Sequence, residues 1–204
     1  LVKVDPRQIG VGQYQNDVDG GRLGRALDEV VEHCVNYVGV DLNRAPVQQL
    51  ACVCGLTTSA ARLLVEQREK HGPIPSKEEL RNFAFISDTA FRYCAGFLRI
   101  HGGRNPLDST GVHPDLYPVI DRIAAARGVE PGELVVNTDL LLDVVAEEFA
   151  DDKASPADVA GVLSELFEGG RDPRPPLEVV RRPPGVHSAK DLEEGMQLGG
   201  RVTN

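Results

Sequence analysis

The chain has 204 residues, 41% hydrophobic and 26% charged, the balance of a globular protein long enough for one large domain or two small ones. Aromatics are only 5% with no Trp, which argues against a base-stacking platform, and no apolar run approaches eighteen residues, which argues against a membrane-spanning helix. The net charge of −9 argues against a general polyanion binder, but it is unevenly spread: positions 39–100 carry eight Arg/Lys against six acids, whereas positions 105–168 carry three against fourteen.

In chain order, residues 1–20 combine Gly10, Gly12 and Gly20 with polar neighbours and read as an extended lead-in, without the basic-then-apolar run of a signal peptide. Gly10-x-Gly12 lacks the third glycine and the flanking strand and helix of a phosphate loop. Leu23, Ala26, Leu27, Val30, Val31, Cys34, Val35 and Val38 recur at steps of three and four, which predicts an amphipathic helix over 23–38 with a stripe wide enough to pack on both sides. Asn43 is the expected N-cap of a helix carrying Val47, Leu50, Ala51 and Val53, broken by Gly55. A second helix is expected from about 58 to 70 and is stopped by His71-Gly72-Pro73. Ser76-Lys77-Glu78-Glu79 has the spacing of a capping box that opens a short helix to Arg81 or Asn82, a turn covers 84–87, and a further helix is expected over 88–94. From Val40 onward the order helix, tight apolar turn, helix therefore occurs twice, in two units of about thirty residues. Beyond Gly102-Gly103, helices are expected over 114–126, 138–149 and 155–167, then a Pro/Gly/Arg-rich linker over 169–191 and a strand over 192–204. The four cysteines, Cys34, Cys52, Cys54 and Cys94, show no metal-binding spacing and are expected to be buried thiols.

The turns carry the chemistry. A helix-hairpin-helix unit places an apolar-Gly-apolar turn before a helix whose first amides are unpaired, and these amides with the helix dipole attract a phosphate. Only backbone is used, so such binding is independent of base sequence. Val53-Cys54-Gly55-Leu56-Thr57-Thr58 fits, with Leu56 expected in the core, Thr57 standing where a second glycine is usual, and Arg62 and Arg68 following to add charge. In the second unit, Phe83-Ala84-Phe85-Ile86-Ser87-Asp88-Thr89, the candidates are Ser87 and Thr89, but Ser87 replaces the glycine and Asp88 repels phosphate, so that hairpin is expected to be structural. Gly55→Asp is expected to abolish binding and Asp88→Lys to strengthen it. His33, His71, His101, His113 and His187 are scattered without acidic or Cys partners, so no catalytic residues, metal site or cofactor is expected.

Asp5-Pro6-Arg7-Gln8-Ile9-Gly10-Val11-Gly12-Gln13-Tyr14-Gln15, Val38-Gly39-Val40-Asp41-Leu42-Asn43, Arg68-Glu69-Lys70-His71-Gly72-Pro73, Ala95-Gly96-Phe97-Leu98-Arg99-Ile100, and Asn105-Pro106-Leu107-Asp108 followed by His113-Pro114 resemble the Tex transcription accessory proteins, nearly end to end. The resemblance implies a mainly α chain in five parts. Residues 1–20 are the exit from an RNase H-like domain, 21–104 a tandem helix-hairpin-helix domain, and 105–168 an acidic helical connector. The linker over 169–191 then leads to 192–204, the first strand of an OB-fold RNA-binding domain. It also implies a monomeric, cytoplasmic, non-enzymatic role, with nucleic acid and the transcription machinery as partners and no membrane. Two other readings compete. Val40-Asp41-Leu42-Asn43-Arg44-Ala45 also resembles competence DNA receptors, which suggests a DNA-uptake or repair module. A protein-interaction scaffold using the acidic connector is the other.

Overall fold

Asp19 starts the first helix, Gly20–Val38 (α1), by accepting the Arg22 amide at 2.7 Å, and Gly39 ends it at φ +81°. In this computed structural model, residues 10, 12–168, 191, 195 and 196 are described. The described residues up to 168 belong to one compact unit. The linker and terminal strand expected over 169–204 fall almost wholly outside the described residues, as do residues 1–9 and 11 of the lead-in expected over 1–20.

The helices that follow are Val47–Leu50 (α2), Thr58–His71 (α3), Asp88–Cys94 (α4), Tyr117–Arg127 (α5), Pro131–Val136 (α6) and Pro156–Glu168 (α7), with 3-10 turns between several of them. Val40–Asp41 (β1) and Leu98–Arg99 (β2) pair in parallel, Val40 opposite Leu98 and Asp41 opposite Arg99. This pair brackets the duplication, joining the start of the first unit to the end of the second. One core lies between them: Val40, Leu42, Leu50, Val53, Leu56, Ala61, Leu64, Leu80, Ile86, Phe91 and Leu98 are all buried. A second core, around Leu107, Ile120, Ile123, Leu134, Leu141, Val159 and Leu166, belongs to the stretch expected as a connector.

The two cores meet across a polar joint. Lys77 is fully buried, and its ammonium nitrogen donates to the carbonyls of Thr110 (2.9 Å) and Val112 (3.2 Å). Its amide donates to Asp108 Oδ2 (3.2 Å), whose other oxygen accepts the Tyr117 hydroxyl at 2.8 Å. Arg81 lies over the Phe91 ring at 3.9 Å and pairs with Asp115 at 2.6 Å.

Several expectations are corrected by these contacts. Asn43 caps nothing: its side chain exchanges two 2.9 Å hydrogen bonds with the main chain of Ile74, tying the first unit's entry to the loop after α3. Ser76 makes no side-chain cap, because the chain enters a 3-10 helix, Lys77–Asn82, whose first amide is taken by Asp108 and whose Glu79 is drawn to Arg104 at 3.6 Å. No single helix spans 138–149: two 3-10 helices, Thr138–Leu141 and Ala146–Phe149, occupy it, and the α-helix of this region, α6, starts and ends earlier. Pro131 at the first helical position and a reciprocal Glu130–Glu133 capping box set that earlier start. Of the cysteines only Cys94 is buried; Cys34 and Cys54 are exposed and Cys52 is intermediate. In α1 Gly24 is the one buried residue, and Val35 packs against the first core.

Candidate nucleic-acid interface

The two hairpins superimpose in sequence at an offset of thirty, and the structure repeats their hydrogen bonds. The Leu56 amide donates to the Val53 carbonyl at 3.0 Å and the Ile86 amide to the Phe83 carbonyl at 2.8 Å, closing equivalent four-residue turns. Leu56 and Ile86 are both buried in the first core. Thr57 and Ser87 are then the N-caps of α3 and α4, accepting the Ala60 and Ala90 amides at 3.1 Å each. Thr57, read from sequence as replacing a glycine, is therefore a conventional cap with extended backbone.

Gly55 is where the turns differ. Its φ of +84° is the value a type II turn needs at its third residue, and Phe85 in the equivalent place has no positive φ. A Cβ built on Gly55 would lie 2.7 Å from Tyr93 Cβ and 3.0 Å from the Ala90 carbonyl oxygen. The glycine thus lets the first turn sit directly against α4 of the second unit. Its expected role as a phosphate approach point is overlaid by a packing role, so Gly55→Asp would disrupt the pair of hairpins as well as any ligand contact.

The first turn of α3 supplies the anion-facing groups. The Ala60 and Ala61 amides are taken by Thr57, the latter through its carbonyl at 2.9 Å. Among the described residues nothing accepts from the amides of Thr58 and Ser59, which stand exposed, and no acid lies in that first turn. Arg62, exposed and without an ion-pair partner among the described residues, lies one turn further along. Arg68 is not with it. Its guanidinium turns inward and donates to the carbonyls of Leu42 and Ala45, both at 2.6 Å, so it clamps the loop before α2.

In the second hairpin Ser87 is committed to its cap, Asp88 occupies the first helical position and Thr89 is exposed, on a helix of only seven residues. Two exposed neighbours escaped the sequence reading: Arg92, the offset-thirty counterpart of Arg62, and Tyr93, 60% exposed beside Gly55. The thirty-residue repeat was the signal that finds Arg92; Tyr93 needed the packing of one hairpin on the other.

The family models follow this geometry. Residues 35–99 match the helix-hairpin-helix motif and residues 105–174 match an HHH domain. The whole chain aligns with Protein YhgF of Escherichia coli (strain K12) at 46% identity, covering 26% of that protein, and with the Transcriptional accessory protein Tex of Neisseria gonorrhoeae at 42%, covering 27%. Over its full length the chain is similar to these Tex proteins. It spans about a quarter of the length of these Tex relatives. Half of it is 44% identical to 10% of the S1 RNA-binding domain-containing protein 1 of Homo sapiens. The second match covers the stretch read from sequence as a connector, and the second core gives it a domain's interior. Among the described residues no group of three or more His, Cys, Asp or Glu is placed to hold a metal, and no helix is long and apolar enough to cross a membrane.

Proposed function

We propose that this chain is a non-catalytic, sequence-independent nucleic-acid-binding module of a bacterial transcription accessory protein, monomeric and cytoplasmic, working beside the transcription machinery. The reading rests on one observation: the amides of Thr58 and Ser59 open the fourteen-residue α3 with no acceptor among the described residues and no acid in the turn. Two such amides and the helix dipole hold one phosphate oxygen, and Arg62 supplies charge alongside. The helix-hairpin-helix match and the printed names of the Tex and S1 relatives support it. The second hairpin is the weaker half, because Asp88 places a carboxylate where a phosphate would sit.

With one competent turn, binding is weak: a dissociation constant of about 1–100 μM at physiological salt with a shallow salt slope. The offset-thirty pairing of Thr58 with Asp88 provides the test. Thr58→Asp copies the second hairpin into the first and keeps α3 stable, since an acid suits a helix N-terminus. Asp88→Thr does the reverse. In fluorescence-anisotropy titrations with single- and double-stranded DNA and RNA, Thr58→Asp should weaken binding roughly tenfold and Asp88→Thr should strengthen it. Equal affinity for the parent and Thr58→Asp would remove the first hairpin as the contact site.

A further inference from the structure

The second domain carries an exposed ridge that the nucleic-acid reading does not use. From α6 to the 3-10 helix Ala146–Phe149 the chain advances by successive tight turns: the Leu140 amide donates to the Asn137 carbonyl, Leu142 to Asp139, Val144 to Leu141 and Glu148 to Val145. The backbone leaves the helical region at Asn137 and is extended at Val145, so these turns are separate and do not join into one helix. The inward positions are Leu140, Leu141 and Val144, packed in or against the second core. Among the exposed residues of the same stretch are Val136, Asp139, Leu142, Val145 and Glu148, with Val136 at 88%, Leu142 at 68% and Val145 at 49%.

Three large apolar side chains exposed within ten residues are unusual on a surface this polar, and apolar patches rimmed by charge mark protein contacts. Here the surrounding sequence is acidic, with Arg122 held at its far end by the Phe149 carbonyl and Asp151. Between Arg127 and Lys153 there are eight acids and no basic residue. Among the described residues no cation pairs with Asp139, Asp143, Glu147 or Glu148.

We propose that this ridge docks a basic protein segment bearing apolar side chains, the apolar groups seating on Val136, Leu142 and Val145 and the lysines or arginines on the surrounding carboxylates. Nucleic acid is excluded from it by the same carboxylates, so the inference stands apart from the hairpin site.

The test uses the full chain and two fluorescent peptides of equal length and charge, one alternating lysine with leucine and one alternating lysine with serine. The leucine peptide should bind at least tenfold more tightly than the serine peptide. Leu142→Ser combined with Val145→Ser should erase that difference. Both side chains are already exposed, so the fold should persist, and unchanged circular dichroism checks it. Asp139→Asn with Asp143→Asn should weaken both peptides and flatten the salt dependence. Equal binding of the two peptides, or an unchanged preference in the Leu142/Val145 variant, would overturn the proposal. So would competition for the ridge by an oligonucleotide.

Discussion

Gly55 meets two demands at once, and a stability measurement separates it from its neighbours. A side chain there must adopt a φ of +84° and also displace Tyr93 Cβ from 2.7 Å, so Gly55→Ala should destabilise the chain by about 1–3 kcal/mol in urea denaturation. Thr57→Ala and Ser87→Ala each remove one cap and should cost about 1 kcal/mol apiece, with similar values because the two caps have the same 3.1 Å geometry. A Gly55→Ala variant as stable as the parent would show that the turn relaxes away from α4. At this scale the sequence was informative about type and silent about direction. The Gly55 break, the Leu56 plug and the weakness of Asp88 follow from residue chemistry. That Arg68 turns inward does not, because its partners, the Leu42 and Ala45 carbonyls, lie more than twenty residues back along the chain.

Among the elements, α3 combines a structural arginine and a surface arginine on one helix, and the two are distinguishable. Arg68 presents a planar fork to two carbonyls, a geometry a lysine cannot reproduce. Arg68→Lys should therefore lower stability by about 1–3 kcal/mol. Arg62→Ala should leave stability within about 0.5 kcal/mol while weakening nucleic-acid binding and reducing its salt slope. Thermal denaturation beside an anisotropy titration reads both; a loss of stability for Arg62→Ala, or none for Arg68→Lys, would reverse the assignment. Helices with strong end signals were legible, α3 and α4 to within a residue. The 3-10 form of the short helix ending at Asn82 and the parallel pair β1–β2 were not. The first is set by Asp108 and Arg104 from a distant stretch, and the second spans two residues per strand, too short for any periodicity.

Across the whole unit, the joint between the two cores rests on a buried amine, and its protonation makes stability depend on pH. Burial first, then Arg99, brings the Lys77 ammonium down to about 7 from 10.5, opposed by Asp108, Glu165 and Cys94. Asp108 is pushed upward, chiefly by burial, so both partners lean toward neutrality. Below pH 7 the folded and unfolded chains both carry the Lys77 proton and the contribution is constant. Between 7 and 10.5 the unfolded chain holds the proton and the folded chain does not, so stability rises with pH, by at most about 1.4 kcal/mol per unit. Cys94, pushed up to about 12 by burial, acts oppositely above pH 9, where the unfolded thiol ionises first, and Tyr117, also raised, follows it. His113 is lowered by burial and contributes below pH 6.5. The clean window is therefore pH 7 to 9. Urea denaturation there should show stability climbing by about 2–3 kcal/mol in the parent and staying nearly level in Lys77→Met. The Thr110 and Val112 carbonyls lose a donor in that variant, so its absolute stability is not the criterion; the slope is. Lysine side-chain NMR of the parent tests the same idea without a substitution, since a Lys77 midpoint near 10.5 would mean that water reaches the joint. The hairpins and the second domain would then be joined through a hydrated hinge, and the buried contacts of Lys77 would not fix their relative placement.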